Sequence, residues 1–213
     1  MIEVFNTNGH LGLDFETPKL AQVNLIVGPN GVGKSKLLNS IWNTDPNMVV
    51  PVPRDRVVTE NDLQDLTDLD ILFAPYFGLR QLVKEYQYNG NDFTCSSGHS
   101  SILSLLVAMN HAKDKTLLVD EIENGIYYEE FSKLWKHLFY LAKLWNVQII
   151  ATTHSRDCIH GFAEQALEDA DMALLFRMGH SVRTSDKGNV IATTYRGEEF
   201  RYLSYHAGYI ECR

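Results

Sequence analysis

The chain has 213 residues, of which 45% are hydrophobic and 22% are charged, and these values are typical of one ordinary globular domain. Its net charge of -8 argues against general adhesion to nucleic acid, although a local basic patch could still bind it. The apolar runs fall well short of the ~18 residues that a membrane span requires, and the N-terminus lacks the pattern of a secretory signal. Cys95, Cys158 and Cys212 form no C-x-x-C pair and are expected to be free thiols in a reducing cytoplasm.

In chain order, short apolar strands alternate with helical patterns over a single domain, residues 1–213. The predicted strands are residues 2–5, 11–15, 23–27, 116–119 and 147–151, and the first two are expected to pair as an antiparallel hairpin. The proline-rich stretch at residues 49–53 is expected to end a further strand. The predicted helices are residues 33–42, 97–111 and 127–145, with two or three short helices in a small helical insertion at about 54–96. This alternation indicates an α/β fold with a largely parallel sheet.

The strongest motif is the segment at residues 28–35, Gly-Pro-Asn-Gly-Val-Gly-Lys-Ser, which fits G-x-x-x-x-G-K-[ST] between an apolar strand and a helix. Its glycines allow consecutive backbone N–H groups to point at phosphates, and the dipole of the following helix favours the same anions. We therefore expect ATP to bind here, with Lys34 on the β- and γ-phosphates and Ser35 as a ligand of Mg²⁺. The other predicted nucleotide contacts belong to the same segment: Asn30, Gly31, Val32, Gly33 and Lys36.

Two carboxylates follow the predicted strand at residues 116–119. Asp120 is expected to bind Mg²⁺, directly or through water, and Glu121 to act as the general base that polarises the attacking water. An Asp-Glu pair after a strand is often only a solvated loop. The phosphate-binding motif elsewhere in the chain is what favours the catalytic interpretation.

A histidine follows the third buried strand, in the sequence Ala-Thr-Thr-His-Ser at residues 151–155. Since the carboxyl ends of parallel strands meet at one edge of a sheet, His154 is expected to lie near the other motifs and to contact the γ-phosphate. A histidine at a strand end is more often a structural hydrogen-bonding group. Its position 33 residues beyond Glu121 favours the catalytic alternative, and the predicted catalytic set is Glu121, His154 and Lys34.

The order of these motifs resembles that of ABC ATPases, in which a switch histidine occupies the place of His154. The resemblance implies a P-loop NTPase fold of ABC type, with a mostly parallel sheet, N-terminal antiparallel strands and a small helical subdomain. It also implies a signature segment, and Ser97, followed by Gly98, stands 23 residues before Asp120, where the family has L-S-G-G-Q. These two residues would then bind the γ-phosphate of a second subunit, whereas the alternative is a simple helix N-cap.

Two longer stretches are similar to the OLD-like (overcoming lysogenization defect) ATPases. Residues 120–127 and 148–155 read D-E-I-E-N-G-I-Y and Q-I-I-A-T-T-H-S, close to the family's D-E-I-E-N-G-L-H and Q-x-x-x-T-T-H-S, with Tyr127 in place of a histidine. Residues 210–213 are similar to the family's closing E-x-R strand. The TOPRIM nuclease domain that commonly follows in this family is not expected in this chain. The Q-loop glutamine is left open among Gln64, Gln81 and Gln87.

The first functional hypothesis is an ATP-hydrolysing switch, in which two copies of the chain dimerise head to tail around two ATP molecules. By resemblance, it would serve a nucleic-acid or anti-phage defence process, with a separate effector such as a nuclease and with DNA or RNA as further partners. One alternative is a nucleotide-gated binding module with negligible turnover. Another is the ATPase subunit of a membrane transporter, although the sequence after Asp120 departs from the D-E-P-T-S of such subunits.

Other charged and aromatic residues are expected to have structural roles. The scattered cations, interpreted as solvated surface charges, are Arg54, Arg56, Lys113, Lys115 and Lys133. The residues at helical spacing, interpreted as core, are Trp135, Leu138, Phe139 and Trp145. Phe5 or Phe15 either stacks on adenine or faces the core.

Overall fold

The computed structural model describes residues 1–56, 58–89, 97–183 and 188–206. The strands are β1 (Val23–Val27), β2 (Val49–Pro51), β3 (Thr116–Val119), β4 (Gln148–Thr152), β5 (Ala173–His180) and β6 (Val190–Tyr195). The helices are α1 (Lys34–Thr44), α2 (Glu60–Gln64), α3 (Leu69–Leu72), α4 (Phe77–Asn89), α5 (Ser97–His111), α6 (Phe131–Leu144), α7 (Arg156–Glu168) and α8 (Glu199–His206). Short 3₁₀ turns cover His10–Gly12, Tyr128–Glu130 and Ala170–Met172.

These strands form one sheet in the order β2-β3-β4-β1-β5-β6, and every neighbouring pair is parallel except β5 and β6. The central strands β1, β3 and β4 are buried along their whole length, because both faces of a parallel sheet are covered. The predicted fold class, α/β with a mostly parallel sheet, is confirmed. Since β1, β3 and β4 run in the same direction, their carboxyl ends lie at one edge of the sheet. The three predicted motifs follow these strand ends.

Two apolar cores cover the two faces of the sheet. One contains residues of α1 and of the N-terminal segment, packed on Ile26 of β1. The other contains residues of α2 to α8, packed on Leu25 of the same strand. Consecutive residues of β1 therefore enter different cores, as the alternation of side chains along a strand requires. Of the four predicted core residues, Trp135, Leu138 and Phe139 are buried as expected, whereas Trp145 follows α6 and is half-buried against the same core.

The N-terminal segment differs from the predicted hairpin of two strands. Its antiparallel pairing is limited to one bridge between Asn6 and Glu16. The 3₁₀ turn His10–Gly12 takes the place where the second strand was expected to begin. The reason is local, because Asn8 and Gly9 adopt left-handed φ values of 48° and 75° and turn the chain out of an extended path.

The helical predictions are largely confirmed. α5 covers residues 97–111 as predicted, and α2, α3 and α4 are the short helices expected before it. The helix predicted over residues 127–145 is instead the 3₁₀ turn Tyr128–Glu130 followed by α6. Residues 210–213, compared above with a closing strand, lie outside the described residues, as do Cys95 and Cys212. None of the helices in the described part of the chain has the length and apolar character needed to cross a membrane.

Candidate functional site

The glycine-rich loop joins β1 to α1, and its glycines have conformations that other residues adopt with strain. Gly28, Gly31 and Gly33 have φ values of 145°, 81° and 112°. A Cβ atom at Gly28 would lie 2.3 Å from the carbonyl oxygen of Met178 on β5, so only glycine fits between the loop and the sheet. At Gly31, by contrast, an added Cβ would meet no atom within 4 Å. The loop is therefore packed against the sheet at its start and open at its centre, where a phosphate could approach the backbone.

The side chain of Lys34 is turned back onto this loop. Its Nζ donates hydrogen bonds to the carbonyl oxygens of Gly28 at 2.8 Å and Pro29 at 3.1 Å, and the residue is only 6% exposed. Val32, also in this loop, is buried in the core on the α1 side of the sheet and so holds the loop against that core. The ammonium group thus lies inside the curve of the loop, the position from which it can exchange carbonyl oxygens for phosphate oxygens.

Asp120 and Glu121 lie directly beyond the end of β3, and Thr152 of β4 connects them. The Thr152 Oγ1 donates to Asp120 Oδ1 at 2.8 Å and accepts from the backbone N–H of Glu121 at 2.8 Å. Thr152 is fully buried, so its hydroxyl is held in place by the sheet. One hydroxyl therefore fixes the orientation of the first carboxylate and the backbone of the second.

Glu121 begins a sharp turn. Its φ of 50° is left-handed, and its carbonyl oxygen accepts a hydrogen bond from the backbone of Asn124 at 3.0 Å. The Asn124 side chain also donates to Glu121 Oε2 at 2.8 Å. The Glu121 side chain is exposed, unlike that of Asp120, which is 15% exposed. Two adjacent carboxylates thus have different surroundings, as their different predicted roles require.

His154 lies beyond the end of β4 and is tied to the turn after β3. Its backbone N–H donates to Glu123 Oε1 at 2.6 Å, and the backbone N–H of the preceding residue, Thr153, donates to the carbonyl oxygen of Ile26 in β1. Glu123 was not predicted as a site residue. Its position two residues after Glu121 was visible in the sequence, but the contact spans 31 residues and depends on the sheet.

Arg54 and Arg56 correct the expectation of scattered solvated charges. Both follow β2, the neighbour of β3, and both face the turn after β3. Arg54 Nη2 lies 2.5 Å from Asp120 Oδ2, and Arg56 Nη2 donates to the carbonyl oxygen of Glu121 at 3.1 Å. Sequence reasoning missed these two contacts because the charge of a loop residue does not reveal which strand end lies beside the loop.

Arg56 is a buried cation, with only 6% of its surface exposed. Its Nε and Nη1 atoms have no hydrogen-bond partner among the described residues. Burial lowers the pKa of its guanidinium, and the nearby carboxylates of Glu123, Asp120 and Glu121 oppose that shift. Ser100 of α5 donates to its carbonyl oxygen at 3.3 Å. The arginine therefore connects the loop after β2, the turn after β3 and the start of α5.

The predicted signature segment stands at the start of α5. The helix begins at Ser97, whereas Ser96 and the side chain of Ser97 lie outside the described residues. Gly98 and His99 line a surface cavity of about 210 Å³ together with Tyr76 and Tyr127. Gly98 is thus near the surface on the side of the turn after β3, where a second subunit could reach it.

The glutamines considered for a Q-loop are all exposed and lie on α2 and α4. The loop after β2, which approaches Asp120, carries Arg54 and Arg56 where a Q-loop would carry a glutamine. Phe15 is buried in the core and stacks on Phe176 with ring centroids 6.4 Å apart, so it faces the core and not a nucleotide. Phe5 is half-buried and packs beside the same core.

Residues 51–157, half of the chain, match the model of a family described as "AAA domain, putative AbiEii toxin, Type IV TA system". The chain belongs to this AbiEii-type AAA family. The match begins after the glycine-rich loop and includes the loop after β2, the turn after β3 and His154. None of the curated proteins matches the sequence. The resemblance to OLD-like ATPases stays a prediction.

Solved structures with the same fold include ATP-binding cassettes. A nucleotide-free ATP-binding cassette from an ABC transporter is 17% identical, with a TM-score of 0.57 over 94% of this chain and 91% of that chain. Another ATP-binding cassette of an ABC transporter is 18% identical, with a TM-score of 0.55 over 94% and 90%. CbiO1 from Clostridium perfringens, part of the ABC transporter complex cbiONQ, is 17% identical, with a TM-score of 0.54 over 92% and 84%. At these identities the likeness establishes the ABC cassette fold.

Proposed function

We propose that this AbiEii-type AAA protein is a magnesium-dependent ATPase whose two copies close on ATP and separate after hydrolysis. The observation that carries the proposal is the hydroxyl of Thr152, which joins Asp120 and Glu121 at the sheet edge where the glycine-rich loop and His154 also lie. The ABC cassette fold supports the same chemistry. Phosphoryl transfer to water requires positioning and charge stabilisation, and these residues supply both.

Each residue has a distinct role in this proposal. The backbone from Asn30 to Gly33 binds phosphate oxygens, and Lys34 exchanges its contacts with the loop carbonyls for the β- and γ-phosphates. Glu121 is exposed and accepts the proton of the attacking water. His154 is positioned by the hydrogen bond from its backbone N–H to Glu123, and its imidazole contacts the γ-phosphate in this proposal.

The residues present fit a magnesium ion. Asp120 and Ser35 would hold it, one as a carboxylate and one as a hydroxyl, since Mg²⁺ in ATPases is bound by few protein oxygens together with substrate phosphates. Asp120 Oδ1 is already held by Thr152, which leaves Oδ2 as the oxygen for a cation. A cationic nitrogen, that of Arg54, lies 2.5 Å from this oxygen. When bound, the metal supplies neutralisation of the charge on the phosphates.

Head-to-tail dimerisation follows from where Gly98 lies in this proposal. The start of a 15-residue helix presents backbone N–H groups to an anion, and the γ-phosphate bound by a second copy supplies that anion. The family description names a toxin of a type IV toxin–antitoxin system, which supports a role for this ATPase in biological conflict or defence. The ATPase then controls an effector on a separate chain, with DNA or RNA as candidate substrates of that effector.

The decisive experiment is Glu121→Gln. Without the general base, hydrolysis should fall by about 10²- to 10⁴-fold, while the contacts to phosphate and magnesium remain and the ATP-bound dimer accumulates. Light scattering with saturating Mg-ATP measures the dimer, and single-turnover hydrolysis measures the chemical step. Glu85→Gln, the same change at an exposed position of α4, should behave as wild type. A Glu121→Gln protein that hydrolyses ATP at the wild-type rate would exclude the assignment.

The same single-turnover measurement separates the alternative of a nucleotide-gated binding module. Such a module binds ATP and forms the dimer, but wild type and Glu121→Gln then share the same negligible rate. A transporter subunit would instead hydrolyse ATP only with a membrane partner. Addition of DNA, RNA or candidate partner proteins to the wild-type assay identifies which of them stimulates turnover.

A further inference from the structure

The carboxylate of Asp120 has a protein partner on each oxygen. Thr152 Oγ1 holds Oδ1 at 2.8 Å, and Arg54 Nη2 holds Oδ2 at 2.5 Å. Thr152 is fully buried at the end of β4, so its contact with Asp120 persists. A cation that binds Oδ2 must therefore displace the guanidinium of Arg54.

Arg54 is free to move, in contrast to its neighbour Arg56. The side chain of Arg54 is 69% exposed, whereas Arg56 is 6% exposed and hydrogen-bonded to the turn after β3. Arg54 and Asp120 also line a cavity of about 260 Å³, together with Trp42 of α1 and Pro53. The guanidinium thus has open space beside the carboxylate into which it can withdraw.

We infer that Arg54 competes with Mg²⁺ for Asp120, so that binding of Mg-ATP releases the side chain of Arg54. The inference rests on the proposed function, because it concerns the metal of the same site. Arg54 is a positioning residue in this account. It occupies the metal-binding oxygen until nucleotide arrives, and it lowers the affinity for the metal by the free energy of the ion pair.

The size of this effect follows from the exposure of the pair. Exposed arginine–carboxylate pairs are worth a small free energy, equivalent to a factor of about 1.4 to 5 in an equilibrium constant. Arg54→Ala should therefore increase the contribution of Mg²⁺ to ATP binding by about this factor. The relevant quantity is the ratio of the ATP dissociation constant in EDTA to that in excess Mg²⁺, measured by calorimetry.

A general loss of positive charge would also change this ratio, because free ATP is more negative than Mg-ATP. The Asp120→Asn background separates the two effects. If Arg54 acts through Asp120, Arg54→Ala enlarges the ratio more in the wild-type background than in the Asp120→Asn background, where only the general effect of the lost charge remains. An equal change in both backgrounds, or a smaller ratio in Arg54→Ala, would overturn the inference.

Arg201→Ala is the matched control. Arg201 has a similar exposure of 68% and pairs with Glu198 at 3.2 Å, but it lies on α8, which contributes no residue to the site. In Arg201→Ala, the ratio of the two ATP dissociation constants should equal that of wild type.

Arg54→Lys keeps a cation with fewer donors and should give a ratio between those of wild type and Arg54→Ala. If wild type binds no ATP under either condition, the proposed function fails; if it binds and the ratio is unaffected by Arg54→Ala, only the inference on Arg54 fails.

Discussion

At the scale of single residues, the hydroxyl of Thr152 connects the carboxylate of Asp120 to the backbone of Glu121. Valine at this position has nearly the same shape but removes the hydroxyl, so the backbone N–H of Glu121 and the Asp120 carboxylate both lose a partner. We expect Thr152→Val to lower the free energy of unfolding by about 1–3 kcal/mol, since the polar groups left behind are partly buried. Hydrolysis should fall by about 10- to 100-fold, because misplaced catalytic groups are costly.

Thr152→Ser provides the comparison. It keeps the hydroxyl and loses one methyl group, so it should cost roughly 1 kcal/mol of stability and retain most of the hydrolysis. Urea unfolding measures stability, and the steady-state rate measures catalysis. A valine variant that hydrolyses ATP faster than the serine variant would contradict the role of the hydroxyl.

At the scale of elements, the contact between α6 and α7 depends on a glycine. A Cβ at Gly161 of α7 would lie 2.9 Å from the backbone atoms Phe131 C and Ser132 N at the start of α6. Backbone cannot move aside as a flexible side chain can, so Gly161→Ala should destabilise the protein by about 1–3 kcal/mol despite the higher helix propensity of alanine. The check is a lower urea midpoint with an unchanged m value.

Gly78 offers the same substitution without the contact. It lies near the start of α4, is exposed, and an added Cβ would meet no atom within 4 Å. Gly78→Ala should therefore be neutral or stabilising by up to about 1 kcal/mol. Destabilisation of similar size in both variants would mean that the close approach of α6 and α7 is not what Gly161 permits.

The elements also indicate which parts of the structure a sequence can reveal. Buried strands such as β1 and β3 have continuous apolar runs and were predicted to the residue, as was α5. No prediction was made for β5 and α7, nor for the edge strand β6, which alternates between half-buried and exposed residues, nor for the eight-residue α8. The formation of β6 and α8 depends on partners already present, namely β5 and α7, with which they pack.

The same distinction applies to the candidate site. Residues in local motifs, such as Lys34 and Asp120, could be predicted as site residues from the motif and its place after an apolar strand. Arg54 could not, because its partner Asp120 is 66 residues away and the two meet only where β2 and β3 lie side by side. Glu123 and Thr152 were quoted in the sequence patterns, but only the paired strands reveal their contacts.

At the scale of the whole molecule, the proposal requires that each ATP be enclosed by two copies of the chain. Each site has one half with the glycine-rich loop, Asp120 and Glu121 of one copy and a second half with Gly98 of the other copy. Glu121→Gln disables the first half, whereas Gly98→Glu places a carboxylate in the second half, where the γ-phosphate held by the partner would bind. The glutamate should not disturb the fold, because a Cβ at Gly98 makes an ordinary contact of 3.5 Å with Gly125 and an acidic residue favours a helix start. Each variant alone should be nearly inactive.

Mixing the two variants before adding ATP should restore activity, because a mixed dimer has one site with both defects and one intact site. Pairing is random when ATP is added, so half of the first dimers are mixed, and the initial rate should be about a quarter of the wild-type rate before Glu121→Gln homodimers accumulate. A mixture of Glu121→Gln with Asp120→Asn is the matched control. Both of these defects lie in the same half, every site of the mixed dimer is damaged, and no activity should return. Recovery in the control, or its absence in the first mixture while both variants bind ATP, would show that the sites are not shared between copies.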